Sequence, residues 1–209
     1  MPIELVTTNG IFALDGGEWE VTNNIWLVGD DREVIVFDAA HDAAPIVAAV
    51  NGRRVQAIVL THGHNDHINA AVPLRAAVDA PIVLHDADRM LWDVVWPGES
   101  PDRALAPGST LSVGGHELGV LHTPGHSPGC CCFHDVAAGT LFSGDTLFCG
   151  GPGATGRSYS DEPTIVRSIM TQLLTLPPET IVHTGHGEST TIGAEREGVM
   201  DRAAALGIL

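Results

Sequence analysis

The chain has 209 residues, with 26 acidic against 10 basic side chains and a formal charge of −16, and every cation is arginine because lysine is absent. A chain of this length suits a single domain over residues 1–209, with core enough to fold without disulfides. The charge argues against nucleic acid and anionic membranes as partners, and the 44% apolar content excludes a disordered chain.

Short apolar runs at Ile3–Val6, Ile11–Leu14, Asn24–Val28 and Glu33–Asp38 are separated by Asn9-Gly10, Gly16-Gly17 and Gly29-Asp30-Asp31, which read as turns of an antiparallel meander. The pattern then changes to a helix at Ala43–Val50 and an unbroken apolar strand at Val55–Leu60. A helix follows at Ile68–Val78, a strand at Pro81–Leu84 and a helix at Ala87–Val95. Trp96–Gly108 carries three prolines and reads as a long loop of the kind often used as a lid. Strands return at Thr110–Val113, His116–His122, Cys130–His134 and Thr140–Ser143. A glycine-rich loop at Cys149–Asp161, a helix at Pro163–Leu174, a strand at Thr180–His183 and a helix at Ala194–Leu206 complete the chain. Two similar halves of meander then αβ predict an α/β fold, a four-layer αββα sandwich of two mixed sheets with helices outside.

Cys130, Cys131 and Cys132 are consecutive, which suits small apolar strand residues in a reducing compartment better than a disulfide framework. The N-terminus MPIELVTTNG has neither the basic nor the apolar region of a signal peptide, and no apolar run approaches the ~18 residues that span a bilayer. A cytoplasmic protein with no membrane partner is expected, as a monomer or homodimer.

Eleven histidines are a high share for this length. Directly after the strand Val55–Leu60 comes Thr61-His62-Gly63-His64-Asn65-Asp66-His67, four metal-competent side chains in six residues. Leaving a strand, alternate residues point the same way, so His62 and His64 can reach one ion while Asp66 and His67 address another point. His126, Asp145 and His186 repeat the context of a strand end followed by a glycine-flanked ligand. Five histidines and two aspartates suit two ions with one shared ligand.

The HxHxDH run, the later histidines and the strand-end aspartate resemble the metallo-β-lactamase superfamily. Thr123-Pro124-Gly125-His126-Ser127-Pro128-Gly129, Phe142-Ser143-Gly144-Asp145-Thr146-Leu147-Phe148 and Thr184-Gly185-His186-Gly187 look most like its glyoxalase II (hydroxyacylglutathione hydrolase) branch, over roughly residues 20–195. The resemblance implies the αββα fold and a first metal on His62, His64 and His126. It places a second on Asp66, His67 and His186, with Asp145 bridging. Zinc is the first expectation, with iron or manganese as alternatives. It implies hydrolysis of a small-molecule thioester or ester by a hydroxide generated between the ions, with Asp66 and Asp145 as the catalytic carboxylates. A persulfide dioxygenase using one iron on His62, His126 and Asp145, and a lactonase or other ester hydrolase, are the alternatives.

Two departures bear on substrate. Glyoxalase II enzymes carry a C-terminal basic helical extension for glutathione, whereas this chain ends 23 residues after His186 and lacks lysine. The arginine-only, Ala- and Gly-rich composition suggests a high-GC genome and a thiol other than glutathione. Aspartate at 145, where many zinc β-lactamases have cysteine, argues against antibiotic hydrolysis. Arg157 is expected either to meet a substrate carboxylate or to support a ligating aspartate. Tyr159, the sole tyrosine, is a candidate substrate contact. Thr61 and Thr184 are candidate supports of the ligands. His41, His85, His116, His122, His134 and His183 read as structural, and Trp92 and Trp96 as packing residues on one helix face.

Overall fold

The computed structural model describes residues 3–209. The first half runs β1 (Ile3–Leu14), β2 (Gly17–Gly29), β3 (Glu33–Phe37), α1 (Ala43–Val50), β4 (Arg54–Val59), α2 (Asn65–Ile68), α3 (Ala71–Val78), β5 (Ile82–Leu84), α4 (Arg89–Val95) and β6 (Arg103–Ala104). The second runs β7 (Thr110–Val113), β8 (His116–His122), β9 (Cys131–Asp135), β10 (Thr140–Gly144), β11 (Leu147–Phe148), β12 (Gly151–Pro152), α5 (Glu162–Ser168), β13 (Ile181–Thr184), β14 (Thr190–Thr191) and α6 (Ile192–Ala205).

Two six-stranded sheets form, in the orders β1-β2-β3-β4-β5-β6 and β14-β13-β10-β9-β8-β7. Both are mixed: β3 to β6 run parallel, as do β10 and β13, while the hairpin neighbours are antiparallel. The period-2 alternation of each strand divides its residues between two cores. Trp26, Val28, Ile35, Phe37, Val59, Cys131, Phe133 and Phe142 meet between the sheets. Ile25, Leu27, Val34, Val36, Ile58 and Leu60 face outward onto Ile46, Leu74 and Trp92 of the helices. On the far side Cys132, Leu141 and Val182 pack against Ile165, Ile169 and Val199. The layers are therefore helix, sheet, sheet, helix. Cys130, Cys131 and Cys132 are buried free thiols, the last two within β9 and Cys130 just before it. No helix among the described residues is long and apolar enough to cross a membrane.

Three local expectations need correction. Asn9-Gly10 is not a turn: β1 runs unbroken and pairs with β2 from end to end. Glycine is required there for space, since a Cβ at Gly10 would lie 2.1 Å from Nδ1 of His41. The helix expected over Ile68–Val78 is two helices, because Ala70 N donates outward to Ala39 O and Asn69 Oδ1 takes the N–H of His41. Trp96–Gly108 is not free to act as a lid. Trp96 Nε1 donates to Ile68 O, Asp102 Oδ2 accepts from Ile82 N, and β6 adds an edge strand beside β5.

Candidate metal centre

The C-terminal ends of β3, β4, β10 and β13 and the loop after β8 open on one place. Leu60 to His64 continue β4 as an extended turn, and the first turn of α2 directs Asp66 and His67 inward. His62 Nε2 stands 3.1 Å from His64 Nδ1, which stands 3.0 Å from His126 Nε2. His67 Nε2 and His186 Nε2 are 3.2 Å apart, with Asp66 Oδ2 3.6 and 3.3 Å from them. Asp145 lies between the two sets: Oδ1 is 3.4 Å from His67 Nε2, and Oδ2 is 3.4 Å from both His126 Nε2 and His186 Nε2. The seven side chains that the motifs single out thus converge, six of them buried and His186 partly exposed.

The chemistry of this donor set fits divalent ions. Four outer ring nitrogens face fixed partners: His67 Nδ1 donates to Asp38 Oδ2 (2.9 Å), His126 Nδ1 to Ala154 O (2.7 Å), His186 Nδ1 to Thr22 O (2.7 Å), and His62 Nδ1 meets Thr61 Oγ1 (3.0 Å). With those hydrogens placed outside, the inner nitrogens turn lone pairs toward one another, an arrangement that a shared cation makes favourable. Bonds of about 2.0–2.1 Å in a tetrahedron put neighbouring nitrogens about 3.4 Å apart, close to the spacing seen. Asp145 Oδ1 is buried with no hydrogen-bond partner among the described residues. His64 differs, turning Nδ1 inward and leaving Nε2 buried and without a partner among the described residues, its ring 5.3 Å from that of Phe12 between centroids.

The two sets differ electrostatically. Burial and the neighbouring imidazoles hold His62 well below the usual histidine range and push His64 down to about 3, so these two rings keep their lone pairs free. In the other set burial is outweighed by carboxylate charge. Asp145, Asp66 and Asp38 raise His67, and Asp145 and Asp66 lift His186 to about 10. Against the cost of burial, His67 and His186 bring Asp66 down to about 2 and hold Asp145 well below the carboxylate range. Positive charge is strongly favoured at that position.

Residues outside the motifs brace the centre. Asp38, in the left-handed region at φ 56°, accepts from Thr61 N, Thr61 Oγ1 and His67 Nδ1. A carboxylate closing the apolar run of β3 is the one sequence signal it leaves. Asn23 Nδ2 donates to Asp66 Oδ2 at 3.1 Å, and its Oδ1 accepts from His41 Nε2, whose Nδ1 accepts from Asn69. His41 therefore belongs to the support of the centre. Thr184 Oγ1 donates to His186 O, fixing that loop. Arg157 pairs with no ligating carboxylate: its guanidinium lies 4.1 Å over the ring of Trp19 and 5.3 Å over that of Phe12, itself beside His64. Tyr159 is 55% exposed at φ 69°, and its hydroxyl has no partner among the described residues.

Two mixed sheets between helices, with a histidine and aspartate cluster at their strand ends, define a metallo-hydrolase. The chain belongs to the metallo-beta-lactamase superfamily, whose family model matches residues 19–186. It is 31% identical to a hydroxyacylglutathione hydrolase, GloC, of Haemophilus influenzae over 82% of this chain and 87% of that one. A solved structure described as TTHA1623 in a di-iron-bound form is 35% identical, covering 84% of this chain and 93% of that one at a TM-score of 0.76. BLEG-1, described as a B3 metallo-beta-lactamase, is 31% identical over 91% of this chain and 97% of that one, also at 0.76.

Proposed function

We propose that the protein hydrolyses thioesters of a small thiol with two divalent ions, zinc in the first place. His62, His64 and His126 would hold one ion, Asp66, His67 and His186 the other, and Asp145 would bridge them. The observation that carries the reading is the position of Asp145, with one oxygen 3.4 Å from donors of both sets and the other near His67. Likeness to GloC supports the thioester, and three buried free thiols suit a reducing cytoplasm. When bound, such ions bring the pKa of water toward about 7 and polarise the carbonyl under attack.

The chain's own groups set the geometry. Asp66, anchored through Oδ2 by Asn23, orients the attacking water with its other oxygen. Arg157 has no ion pair among the described residues and is held over aromatic rings at the mouth, where its N–H edge meets a carboxylate of the thiol carrier. Tyr159 contacts the acyl or thiol portion from the same loop.

The test is metal analysis of the purified protein together with turnover of S-acyl derivatives of several thiols, a lactone, a β-lactam and a persulfide with oxygen consumption. Two bound ions and hydrolysis of thioesters above the other substrates are expected. Asp66→Ala and Asp145→Ala should each lower kcat by about 10²–10⁴-fold. Activity that survives either change with both ions retained defeats the mechanism, and oxygen uptake with a persulfide replaces hydrolysis by oxidation.

A further inference from the structure

We propose that Asp88 is the positioning residue of the three-histidine site, a single carboxylate clamping together the two loops that carry His62, His64 and His126. The inference rests on the metal-centre reading and not on the choice of thioester.

Asp88 precedes α4 at the N-cap position, where a carboxylate ordinarily accepts from an N–H of its own helix. It makes no such bond. Its Oδ2 instead accepts from Gly63 N at 2.7 Å and from Ser127 Oγ at 2.6 Å, while Oδ1 accepts from Gly129 N at 2.6 Å. Gly63 separates His62 from His64, and Ser127 follows His126, so every donor of the site is one residue from an atom that Asp88 holds. Both glycines permit the approach: a Cβ would lie 2.9 Å from Asp88 Cβ at Gly63 and 2.6 Å from Asp88 Cγ at Gly129. Cys130 Sγ, 3.1 Å from Ser127 Oγ and 3.3 Å from Ser127 N, closes the second loop from behind.

The carboxylate is fully buried, and no arginine or histidine forms an ion pair with it among the described residues. Burial of such a group is unfavourable by itself, and its three hydrogen bonds are what offset the cost. All three lead to the loops of one site. The other site takes its bracing from Asp38, Asn23 and the carbonyl of Thr22, and Asp38 also reaches His62 through Thr61. Asp38 thus serves both sites, whereas the bonds of Asp88 go only to residues flanking His62, His64 and His126, so loss of Asp88 should act first on one ion.

Asp88→Asn tests this directly. The isosteric amide keeps one oxygen, so it can accept from one loop while presenting N–H groups to the donors of the other. Zinc titration against a competing chelator should show two tight sites in the unaltered protein and, in the variant, one site weakened about 10–100-fold with the other unchanged. Anomalous scattering at the zinc edge should place the lowered occupancy at His62, His64 and His126. Ser127→Ala, which removes one arm of the clamp, should weaken the same site by a smaller factor and serves if Asp88→Asn does not fold. Equal binding of both ions by the variants overturns the proposal, and so does a loss shared equally by both sites. Failure of the unaltered protein to bind any ion is a different result, which overturns the metal centre itself.

Discussion

Gly185 shows how little room the centre leaves. A Cβ there would lie 2.3 Å from Asp145 Oδ1 and 2.9 Å from His67 Cε1. The loop cannot retreat freely, because Gly185 N donates to Gly144 O and Gly185 O accepts from Asn24 N. Gly185→Ala should therefore displace the Asp145 carboxylate while leaving both sheets intact. A shift of about 1 Å at a reacting group costs about 10²-fold in rate, so kcat should fall by that order with circular dichroism unchanged; full activity would mean that the strand-end loop yields. Such packing also explains what was legible in advance. His62, His64, Asp66 and His67 declare themselves because four donors within six residues after a strand have few other uses. His126, Asp145 and His186 are legible only as a set, each being an ordinary glycine-flanked loop residue alone. Asp38, Asn23 and Asp88 act through partners 23 to 43 residues away in sequence. Their own neighbours advertise a strand end, a strand interior and a helix cap.

At the scale of elements, the β1–β2 hairpin takes in three of the short runs that the sequence suggests, and its length matters. Alternation over so long a ladder carries Phe12 and Trp19, directly opposite each other, out to the centre, with ring centroids 5.5 Å apart. The hairpin tip meets the glycine-rich loop where Asp15 Oδ2 accepts from Ser158 N. Arg157 is held between the two elements by cation–π contact, with no ion pair among the described residues. Removing the indole should release the guanidinium, since a cation–π contact at a partly exposed site is worth about 0.5–1 kcal/mol. Trp19→Ala is expected to raise KM for a carboxylate-bearing thioester by about 2–5-fold, the equivalent of that energy, with kcat nearly unchanged. A matched neutral thioester should show no such change, and an equal rise for both substrates would remove Arg157 from substrate recognition. By contrast, the αββα layering was readable from the order of elements, because each buried strand supplies two faces and the helices must cover the outer ones.

The centre also joins the molecule's halves. His62, His64, Asp66 and His67 follow β4 of the first sheet, whereas His126, Asp145 and His186 come from loops of the second. Ions held across that boundary would bind the folded arrangement and not the unfolded chain, so their affinity would become stability. At free metal 100 times the dissociation constant, each site contributes about 2.7 kcal/mol. For a chain of this size that corresponds to a melting midpoint higher by about 5–11 °C per ion. Calorimetry at buffered free zinc, with and without a chelator, should show this loss, and an unchanged midpoint would mean that the donors hold no ion in the folded state. The form of the transition carries the further argument. The inter-sheet core of Trp26, Phe37, Phe133 and Phe142 is independent of metal, so the metal-free protein should still unfold in one step. Two transitions after chelation would show that the ions, and not the apolar face between the sheets, make the two halves cooperate.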